Sequence, residues 1–408
     1  MKSETTSLTL RTLERIFFSM IDFILPKHNE TYGFFGVDNL VHNSLAMADF
    51  VNSQPRTKIY WFKTGHDKEP DYGFAKMSVV KLFSIKGLIR LAKCKNIFTT
   101  NTIMFDAVRR IGDTPLPINM KKHNVVNYWH GIPIKRILST VEGWETPPHI
   151  KEAIYYKGLV ASSDTDSFAM CASFSPINYK NVWVTGSPRS DVLINDYKKL
   201  STYHKKQIDD IRQILNDRKM ILYAPTTRML DKGKPVYKFS KSDIEKLEKL
   251  LKKHNAVLAI RPHSSAKPNQ VKELNKIIDG KNIIDLSHEK FYDPEHVVRE
   301  SSVLITDYSS IYFDAMYLSR PVFSFAYDQN EYSNQSGDPG FLYPLNEVFP
   351  GDICSTFNAL INKIDAELTK PVQTKSEKYN DIKNKFFKYI DDKNSERIFN
   401  RVKELNEK

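Results

Sequence analysis

The sequence predicts an α/β protein with two Rossmann-like domains whose parallel sheets face an interdomain cleft. Short apolar runs typical of buried strands alternate with segments of helical spacing through most of the 408 residues. Such alternation predicts parallel sheets covered by helices on both faces. A polar, lysine-rich helix predicted at 197–217 separates two halves of about five strands each. The length of the chain also exceeds what one hydrophobic core usually organises.

The N-terminal half begins with two predicted amphipathic helices. In the first, over 8–25, apolar residues recur at helical spacing until Pro26 ends the run. In the second, over 79–93, Lys86, Arg90 and Lys93 lie beside the apolar face. Each helix either packs on a core or lies on an anionic membrane surface, and the sequence leaves both alternatives open.

Ten strands are predicted, five in each half, from short apolar runs bounded by turn residues. In the first half they are 57–62, 96–99, 125–129, 158–162 and 182–185, and in the second half 220–224, 256–261, 282–286, 303–306 and 322–326. The predicted helices between them include 164–174, 242–254, 271–279, 294–300 and 311–318. We therefore expect an N-terminal Rossmann-like domain over 1–205, with a candidate membrane helix at 1–26. A second Rossmann-like domain over 206–375 and charged helices over 376–408 follow.

Charge and cysteine usage narrow the class of protein. The chain has 60 basic and 48 acidic side chains, a net charge of +12 and a pI near 9.2, which suggests a polyanionic partner. Its three cysteines are far apart, so a reducing cytosol fits better than a disulfide framework. Charged residues interrupt the N-terminal apolar run, and no long apolar stretch occurs, so we expect neither a signal peptide nor a membrane span.

Three polar segments follow predicted strands of the second half. Asp307, Tyr308, Ser309 and Ser310 come after 303–306 and precede a helix, where N–H groups and hydroxyls suit a phosphate. The alternative is that Ser309 only caps that helix. Pro225-Thr226-Thr227-Arg228 follows 220–224, and Pro262-His263-Ser264-Ser265 follows the strand that ends at Arg261. Because ligands bind beyond the carboxyl ends of such strands, the three segments together predict an anion site.

The first half offers fewer candidates. His130 and Gly131 follow the strand at 125–129, so His130 is either a general base or a histidine packed in a loop. The segment at 186–191, which contains Arg189, either shapes the cleft or starts a helix. Asp164 and Asp166 form a DxD pattern that fits a helix start better than a metal site. No glycine-rich nucleotide motif and no metal-ligand spacing occur, so no metal is predicted.

Taken in order, these motifs resemble the CDP-glycerol glycerophosphotransferase family, which includes teichoic-acid primases and polymerases and related capsule enzymes. The resemblance runs from about residue 30 to about residue 340. The matching segments are WHGIPIK at 129–135, GSPRSD at 186–191, YAPTTR at 223–228, RPH at 261–263, TDYSS with FD at 306–314, and RPV with YDQNEY at 320–332. Ile132, Ser190 and Ser264 depart from the residues common at those positions of the family.

The resemblance implies a GT-B arrangement and the transfer of a polyol phosphate from CDP-glycerol or CDP-ribitol to an acceptor hydroxyl, with release of CMP. The domain over 1–205 would then bind the acceptor, with His130 as the base. The domain over 206–375 would bind the CDP-donor, with His263, Ser309 and Ser310 holding its pyrophosphate. The other substrate-binding residues it implies are Gly131, Arg189, Thr226, Thr227, Arg228, Arg261 and Asp307. No cofactor beyond the donor substrate is expected.

The implied partners are a lipid-linked or polymeric glycan acceptor and the inner membrane surface, which places the protein in the cytoplasm at the membrane face. Two alternatives differ in partner. One is a GT-B glycosyltransferase that uses a nucleotide sugar. The other is a non-catalytic nucleic-acid-binding protein, which lacks support because the basic residues are dispersed and no nucleic-acid-binding motif is present.

Overall fold

The computed structural model describes residues 2–36, 39–65, 70–109, 113–143, 150–227, 236–333, 340–370 and 375–407. The chain divides into two compact units. The N-terminal unit comprises Met1–Gly131, Gly143–Asp191 and Asp391–Lys408. The second unit comprises Ile132–Glu142 and Val192–Ile390. Each unit has its own parallel sheet, as the alternation of strands and helices predicted.

The sheet of the N-terminal unit has seven strands in the order β3-β2-β1-β4-β5-β6-β7. The strands are β1 (His28–Gly36), β2 (Lys58–Lys63), β3 (Met77–Lys81), β4 (Cys94–Thr99), β5 (Asn124–Asn127), β6 (Gly158–Ala161) and β7 (Val182–Val184). All neighbouring pairs are parallel. The order reverses between β1 and β4, which is the switch point of a Rossmann-like sheet.

Helices cover this sheet, and aromatic side chains fill the space beneath them. The helices are α1 (Lys2–Ile24), α2 (His42–Ser53), α3 (Ile85–Lys93), α4 (Ile103–Asp106), α5 (Ile150–Ala153), α6 (Asp164–Ser173), α7 (Arg189–Ile194), in which the chain leaves the unit, and the C-terminal α17 (Asn394–Glu407). Phe98 stacks between Phe34 and Tyr128, with ring centroids 5.1 and 5.3 Å away. From α17, Phe399 stacks on Tyr32 at 5.6 Å.

A buried ionic cluster anchors the end of α1. The Asp22 carboxylate accepts from Lys27 Nζ at 2.7 Å, from the Asn119 amide at 2.7 Å, and faces His123 Nε2 at 2.8 Å. Burial raises the pKa of Asp22, but His123, Lys27 and Asn119 outweigh that effect and hold it below the usual value. His123 Nδ1 lies 2.5 Å from the Cys94 carbonyl, which can only accept, so that nitrogen carries a proton.

The second unit has six parallel strands in the order β10-β9-β8-β11-β12-β13. They are β8 (Lys219–Tyr223), β9 (Ala256–Ile260), β10 (Ile283–Asp285), β11 (Val303–Thr306), β12 (Val322–Phe325) and β13 (Asp352–Cys354). The helices are α8 (Thr202–Leu215), α9 (Lys241–His254), α10 (Pro268–Asn275), α11 (Pro294–Glu300), α12 (Tyr312–Tyr317), α13 (Gln329–Ser333), α14 (Leu345–Val348), α15 (Phe357–Thr369) and α16 (Glu377–Phe386). Two apolar clusters line this unit's sheet.

All ten predicted strands are present, but the estimate of five per sheet was wrong, because β1, β3 and β13 were not predicted. The helix predicted over 79–93 begins only at Ile85, and its first residues belong to β3. Ser84 explains the boundary, because its hydroxyl accepts from the Gly87 amide and caps α3. Valines at 79 and 80 fit either periodicity over so short a run.

The division into units also differs from the boundaries drawn on the sequence. The first unit ends at Asp191 rather than at residue 205, and residues 391–408 belong to it instead of forming a separate segment with α16. Phe399 and Asn394 make this connection through contacts with residues far away in the sequence. Among the described residues, no helix has the length and apolar character needed to cross a bilayer.

Candidate functional site

The three polar segments of the second unit follow strands that are neighbours in its sheet. β8 pairs with β9 on one side and with β11 on the other, and all three are parallel. The residues after their carboxyl ends therefore share one edge of the sheet. This edge carries Thr226 and Thr227, Arg261 and His263, and Asp307 with Ser309 and Ser310. Arg228 lies outside the described residues.

Asp307 joins two of these segments. Its Oδ1 accepts the Thr226 amide at 2.8 Å and the Tyr308 amide at 2.6 Å. Below it, the Thr306 hydroxyl donates to the Ala224 carbonyl at 2.7 Å. Since Asp307 is only 1% exposed, it organises the loops from within. It lies beneath the candidate anion site and orients the segment that carries the two threonines.

Ser309 and Ser310 are half-buried and lie just before α12, as predicted. The Ser309 hydroxyl accepts the Ile311 amide at 3.3 Å. This bond closes a local turn and is not a side-chain cap of α12, which has Ile311 at its N-cap position. Tyr308, next to them, stacks on Tyr332 with ring centroids 4.0 Å apart and donates to Asp328 at 3.0 Å. The ring contacts fix the base of this turn, so the serines have a rigid support.

His263 is exposed at the same edge, and its tautomer follows from its hydrogen bonds. The Ser265 amide donates to His263 Nδ1 at 3.1 Å, and the Ser265 hydroxyl lies 2.7 Å from the same nitrogen. A backbone N–H can only donate, so Nδ1 is the acceptor and the neutral ring carries its proton on Nε2. Nε2–H is therefore a donor suited to a phosphate oxygen.

Arg261 occupies a different environment from its neighbour. It is 6% exposed, and its guanidinium donates to the carbonyls of Leu286, Phe291 and Tyr292 at 2.9, 2.7 and 3.0 Å. Burial lowers the pKa of Arg261 to about 10, so the side chain stays charged at neutral pH. These bonds hold the segment after β10 against β9 and thereby position the loop that carries His263.

In the N-terminal unit, the segment after β5 places His130 at the surface. The Asn127 side chain accepts the Trp129 amide at 2.7 Å, and Trp129 adopts a φ of 54°, a left-handed conformation. The His130 ring lies 4.5 Å from the Trp129 ring, and its side chain is exposed. Asn43 on α2 donates to the Trp129 carbonyl at 3.2 Å. The amides of Asn127 and Asn43 thus hold the turn that presents the imidazole.

Arg189 supports the same turn. Its Nη1 donates to the His130 carbonyl at 2.9 Å, and its backbone amide donates to Asn43 Oδ1 at 3.2 Å. Gly131 has a φ of +123°, and a Cβ there would lie 2.5 Å from Arg189 Nη2. Glycine is therefore required by both its backbone conformation and the close guanidinium.

The rest of the segment at 186–191 anchors the C-terminal helix. Asp191 accepts from the backbone amides of Asn394 and Ser395 at 2.9 and 2.8 Å and from the Asn394 side chain at 2.8 Å. Burial raises the pKa of Asp191 to about 6, although these bonds oppose the shift. The segment also starts α7, which confirms the helix-start alternative, and its role in shaping a cleft stays a prediction.

The DxD pattern proves to be a helix start, as favoured. The Ser163 hydroxyl accepts the Asp166 amide at 3.1 Å, and Asp166 accepts the Ser162 amide at 2.7 Å. Burial raises the pKa of Asp166 to about 7. Ser163 thus caps α6, and the buried Asp166 carboxyl holds the residue that precedes the cap.

Sequence reasoning missed the supporting asparagines at positions 43, 127 and 394. Each acts through contacts with residues distant in the sequence or through a turn, and none belongs to a periodic pattern. The only available signal was that asparagine and aspartate favour turns and helix starts.

Two units with Rossmann strand order, each carrying polar loops after its strands, define a GT-B-like protein. A family model described as CDP-glycerol:poly(glycerophosphate) glycerophosphotransferase matches residues 17–404. The chain belongs to this family, which the sequence motifs had indicated.

The similar proteins act in teichoic acid synthesis. The chain is 30% identical over 281 residues to the teichoic acid ribitol-phosphate polymerase TarL of Staphylococcus aureus, covering 68% of this chain and 47% of that protein. It is 32% identical over 259 residues to a teichoic acid poly(glycerol phosphate) polymerase of Staphylococcus epidermidis, covering 59% and 33%. The chain thus spans less than half the length of these relatives.

Among solved structures, the wall teichoic acid polymerase TagF resembles this chain. The superposition covers 99% of this chain and 96% of that one, with a TM-score of 0.77 and 23% sequence identity. This similarity confirms the fold.

Proposed function

We propose that this protein transfers glycerol phosphate or ribitol phosphate from a CDP-polyol to a hydroxyl of a teichoic-acid-like or capsular glycan, with release of CMP. The observation that carries the proposal is the edge of the second sheet. There, hydroxyls, amides and the Nε2–H of His263 follow three neighbouring strands. The donor substrate proposed for this edge is a CDP-polyol, because the family of the chain is named for CDP-glycerol chemistry.

In the proposed reaction the acceptor oxygen attacks the phosphorus of the polyol phosphate. The new P–O bond forms as the bond to the CMP oxygen breaks, and the acceptor proton passes to His130. His263, Ser309 and Ser310 hold the pyrophosphate oxygens, with Thr226, Thr227 and Arg228 beside them. Fixed donors of this kind stabilise the developing charge on the leaving CMP.

The remaining residues have positioning roles in this mechanism. Asp307 orients the Thr226 amide, and Arg261 fixes the loop that carries His263. Gly131 and Arg189 set the conformation of the His130 turn. Proton removal by a positioned histidine contributes about a hundred- to ten-thousand-fold in rate.

We also propose that no metal or other cofactor is required, because histidine, arginine and amide donors balance the negative charge of the donor pyrophosphate. A chelation experiment tests this point. Activity should be unchanged in EDTA, whereas a loss that magnesium restores would contradict it.

The proposal is tested against the nucleotide-sugar alternative by a donor screen. The protein is incubated with CDP-glycerol, CDP-ribitol and common nucleotide sugars, each with a teichoic-acid-type acceptor, and the products are identified by mass spectrometry. We expect CMP and an acceptor heavier by one polyol phosphate. Release of a nucleoside diphosphate together with a glycosylated acceptor would instead support the glycosyltransferase.

We further propose that α1 places the protein at the inner membrane face. Its exposed apolar side chains support this, with Leu10, Leu13 and Ile16 at 62%, 56% and 59% and Phe23 at 65% exposed. Because Asp22 is buried in the unit, point substitutions test the role better than deletion of the helix.

Leu13→Glu with Ile16→Glu should abolish flotation with anionic liposomes while leaving the thermal unfolding temperature near that of the wild type. Flotation equal to that of the wild type would exclude α1.

A further inference from the structure

The N-terminal unit has an open, basic cavity that the proposed reaction does not use. It has a volume of about 800 Å³, within the range of small-ligand sites. Its lining includes Lys58, Lys86, Arg90 and Lys93, with a single acidic residue, Glu30. Among the described residues, no carboxylate forms an ion pair with any of these four cations. The cavity thus concentrates positive charge that the protein itself leaves uncompensated.

The cations are arranged along one line. Lys86, Arg90 and Lys93 occupy positions i, i+4 and i+7 of α3, so they lie on one face of the helix over roughly 10 Å. Lys58 begins β2 on the other side of the cavity. The Arg90 guanidinium lies over the Tyr60 ring, with its central carbon 5.0 Å from the ring centroid. A row of cations with one fixed guanidinium suits a ligand that carries several phosphates in sequence.

The remaining lining favours a polyol between those phosphates. Glu30 can only accept hydrogen bonds when ionised, which suits hydroxyl groups and disfavours a purely anionic ligand. Ile85 and Ile89 offer apolar contacts to carbon atoms. The exposed apolar side chains of α1 do not line the cavity, which distinguishes it from the surface proposed for the membrane.

One end of the cavity, at His28 and Lys58, lies at the opposite edge of the sheet from His130, and its other end reaches Lys86, just after β3. Lys58 is the first residue of β2 and His28 the first of β1, whereas His130 follows the carboxyl end of β5 in the same parallel sheet. The nine residues of β1 separate the two edges by roughly 25 Å. A ligand that reaches both edges must be a chain of several repeats. Nucleotides bind at carboxyl ends in such sheets, so the amino edge is not a second donor site.

We propose that this cavity binds the phosphodiester backbone of a polyol-phosphate polymer, several units away from its reacting end. The inference rests on the proposed function for the identity of the chain. In this arrangement Lys58, Lys86, Arg90 and Lys93 contact successive phosphates, and Glu30 accepts from polyol hydroxyls. Such contacts favour binding of long acceptors over short ones, because only a long chain reaches both the cavity and His130.

Binding without donor tests the cavity independently of catalysis. Fluorescent glycerol-phosphate oligomers of about ten units are titrated with the wild type and with a Lys86→Gln, Arg90→Gln, Lys93→Gln variant. The matched control replaces the exposed Lys241, Lys249 and Lys252 of α9 by glutamine, which removes the same charge from the second unit. We expect the cavity variant to bind at least about tenfold more weakly at low salt, and the control to change less than about twofold.

Further binding measurements distinguish a polyol-phosphate chain from other phosphate ligands and from lipid headgroups. Glu30→Ala should weaken binding of the oligomer but strengthen binding of inorganic polyphosphate of equal charge, because it removes both an acceptor for polyol hydroxyls and a repulsive charge. Wild-type affinity of the cavity variant for the oligomer would overturn the proposal. So would a defect confined to liposomes of phosphatidylglycerol, which would assign the cavity to lipid headgroups.

Acceptor length provides the catalytic arm. The cavity variant should raise the KM for acceptors of about ten units severalfold and leave the KM for one-unit acceptors and for the donor unchanged. An equal rise for both lengths would contradict the cavity site. If the wild type transfers nothing from a CDP-polyol, the proposed function fails, while the binding titration still decides whether the cavity holds a polyol-phosphate chain.

Discussion

The carboxylate of Asp307 accepts the backbone amide of Thr226 at 2.8 Å, so one buried side chain fastens the turn after β11 to the turn after β8. The same oxygen accepts the Tyr308 amide. Two of the three segments at the candidate anion site therefore depend on one residue. Asp307 thus supports the turns that carry the proposed donor-binding residues.

Replacing this support should damage both stability and donor binding. Asp307→Ala leaves the buried amide of Thr226 without its acceptor, which costs about 1–3 kcal/mol in the free energy of unfolding. We expect weaker CDP-polyol binding by calorimetry and a lower urea midpoint. Asp307→Asn keeps an oxygen acceptor and should show a smaller loss of both. An alanine variant as stable as the wild type would show that Asp307 does not hold the turns.

The two histidines should separate chemistry from donor binding. His130→Ala removes the proposed base, so the rate of transfer should fall about a hundred- to ten-thousand-fold while the donor Kd stays within about twofold. His263→Ala removes a proposed phosphate donor and should weaken donor binding. Transfer assays measure the change in rate, and calorimetry measures the change in donor binding. Loss of donor binding in His130→Ala would refute the assignment of the base.

Gly131 offers a test of the turn that carries His130. Gly131→Ala combines a strained positive φ with a Cβ 2.5 Å from Arg189, so we expect a loss of about 1–3 kcal/mol in unfolding free energy and a lower kcat. Gly73→Ala is the matched control, because Gly73 also has a positive φ, +68°, but nothing lies within 4 Å of its Cβ site. Equal effects would show that the contact with Arg189 is unimportant.

A buried pair of histidines in the second unit should make stability depend on pH. His204 Nδ1 lies 2.7 Å from His296 Nε2, and burial lowers the pKa of both rings. The charge of His296 lowers the pKa of His204 further, whereas the nearby Glu295 raises it. Both rings are therefore neutral in the folded protein at pH values where the unfolded chain binds protons.

The sign follows from proton binding. As the pH falls below about 6.5, the unfolded state binds more protons than the folded state. The contribution of the histidine pair to the free energy of unfolding then decreases by up to about 2.7 kcal/mol per pH unit. Above that pH its contribution is constant. Glu152, Asp166 and Asp191 act oppositely, because burial raises the pKa of each carboxyl group. The test must therefore compare variants rather than read the wild-type profile alone.

The comparison uses a double variant, His204→Phe with His296→Leu, in urea unfolding at pH 7.5 and pH 5.5. The wild type should lose more stability than the variant between these two values. Parallel changes in both proteins would show that the rings titrate normally in the folded state.

Much of the architecture was available in the pattern of residues. The strands 303–306 and 220–224 read as apolar runs because parallel strands are buried on both faces. β1 was not predicted because His28, Asn29 and Glu30 begin it, Gly33 interrupts it and Gly36 ends it. β13 has only three residues, Asp352–Cys354, too few for a periodic signal. β3 was assigned to the following helix because its two valines fit either periodicity over a run of five residues.

The site divides along a similar line. The sequence placed His130, His263 and the paired serines just after strands. This was possible because apolar strands are recognisable, and the polar residues that follow them stand out. It did not distinguish Arg261 from His263, although the first is buried against three carbonyls and the second is exposed. Adjacent residues in one loop differ in this way because the direction of each side chain is set by packing.

By itself the sequence determined the two-sheet α/β architecture, the positions of ten strands along the chain, and the family of the chain. These depend on local patterns: hydrophobic periodicity, turn residues and short motifs. Only the tertiary structure decided that Asp307 joins two loops, that Asp191 caps the last helix, and that Lys58 and α3 line one cavity. Each of these brings together residues distant in the chain, and such pairings are selected by the free energy of the whole packed unit rather than by any local preference.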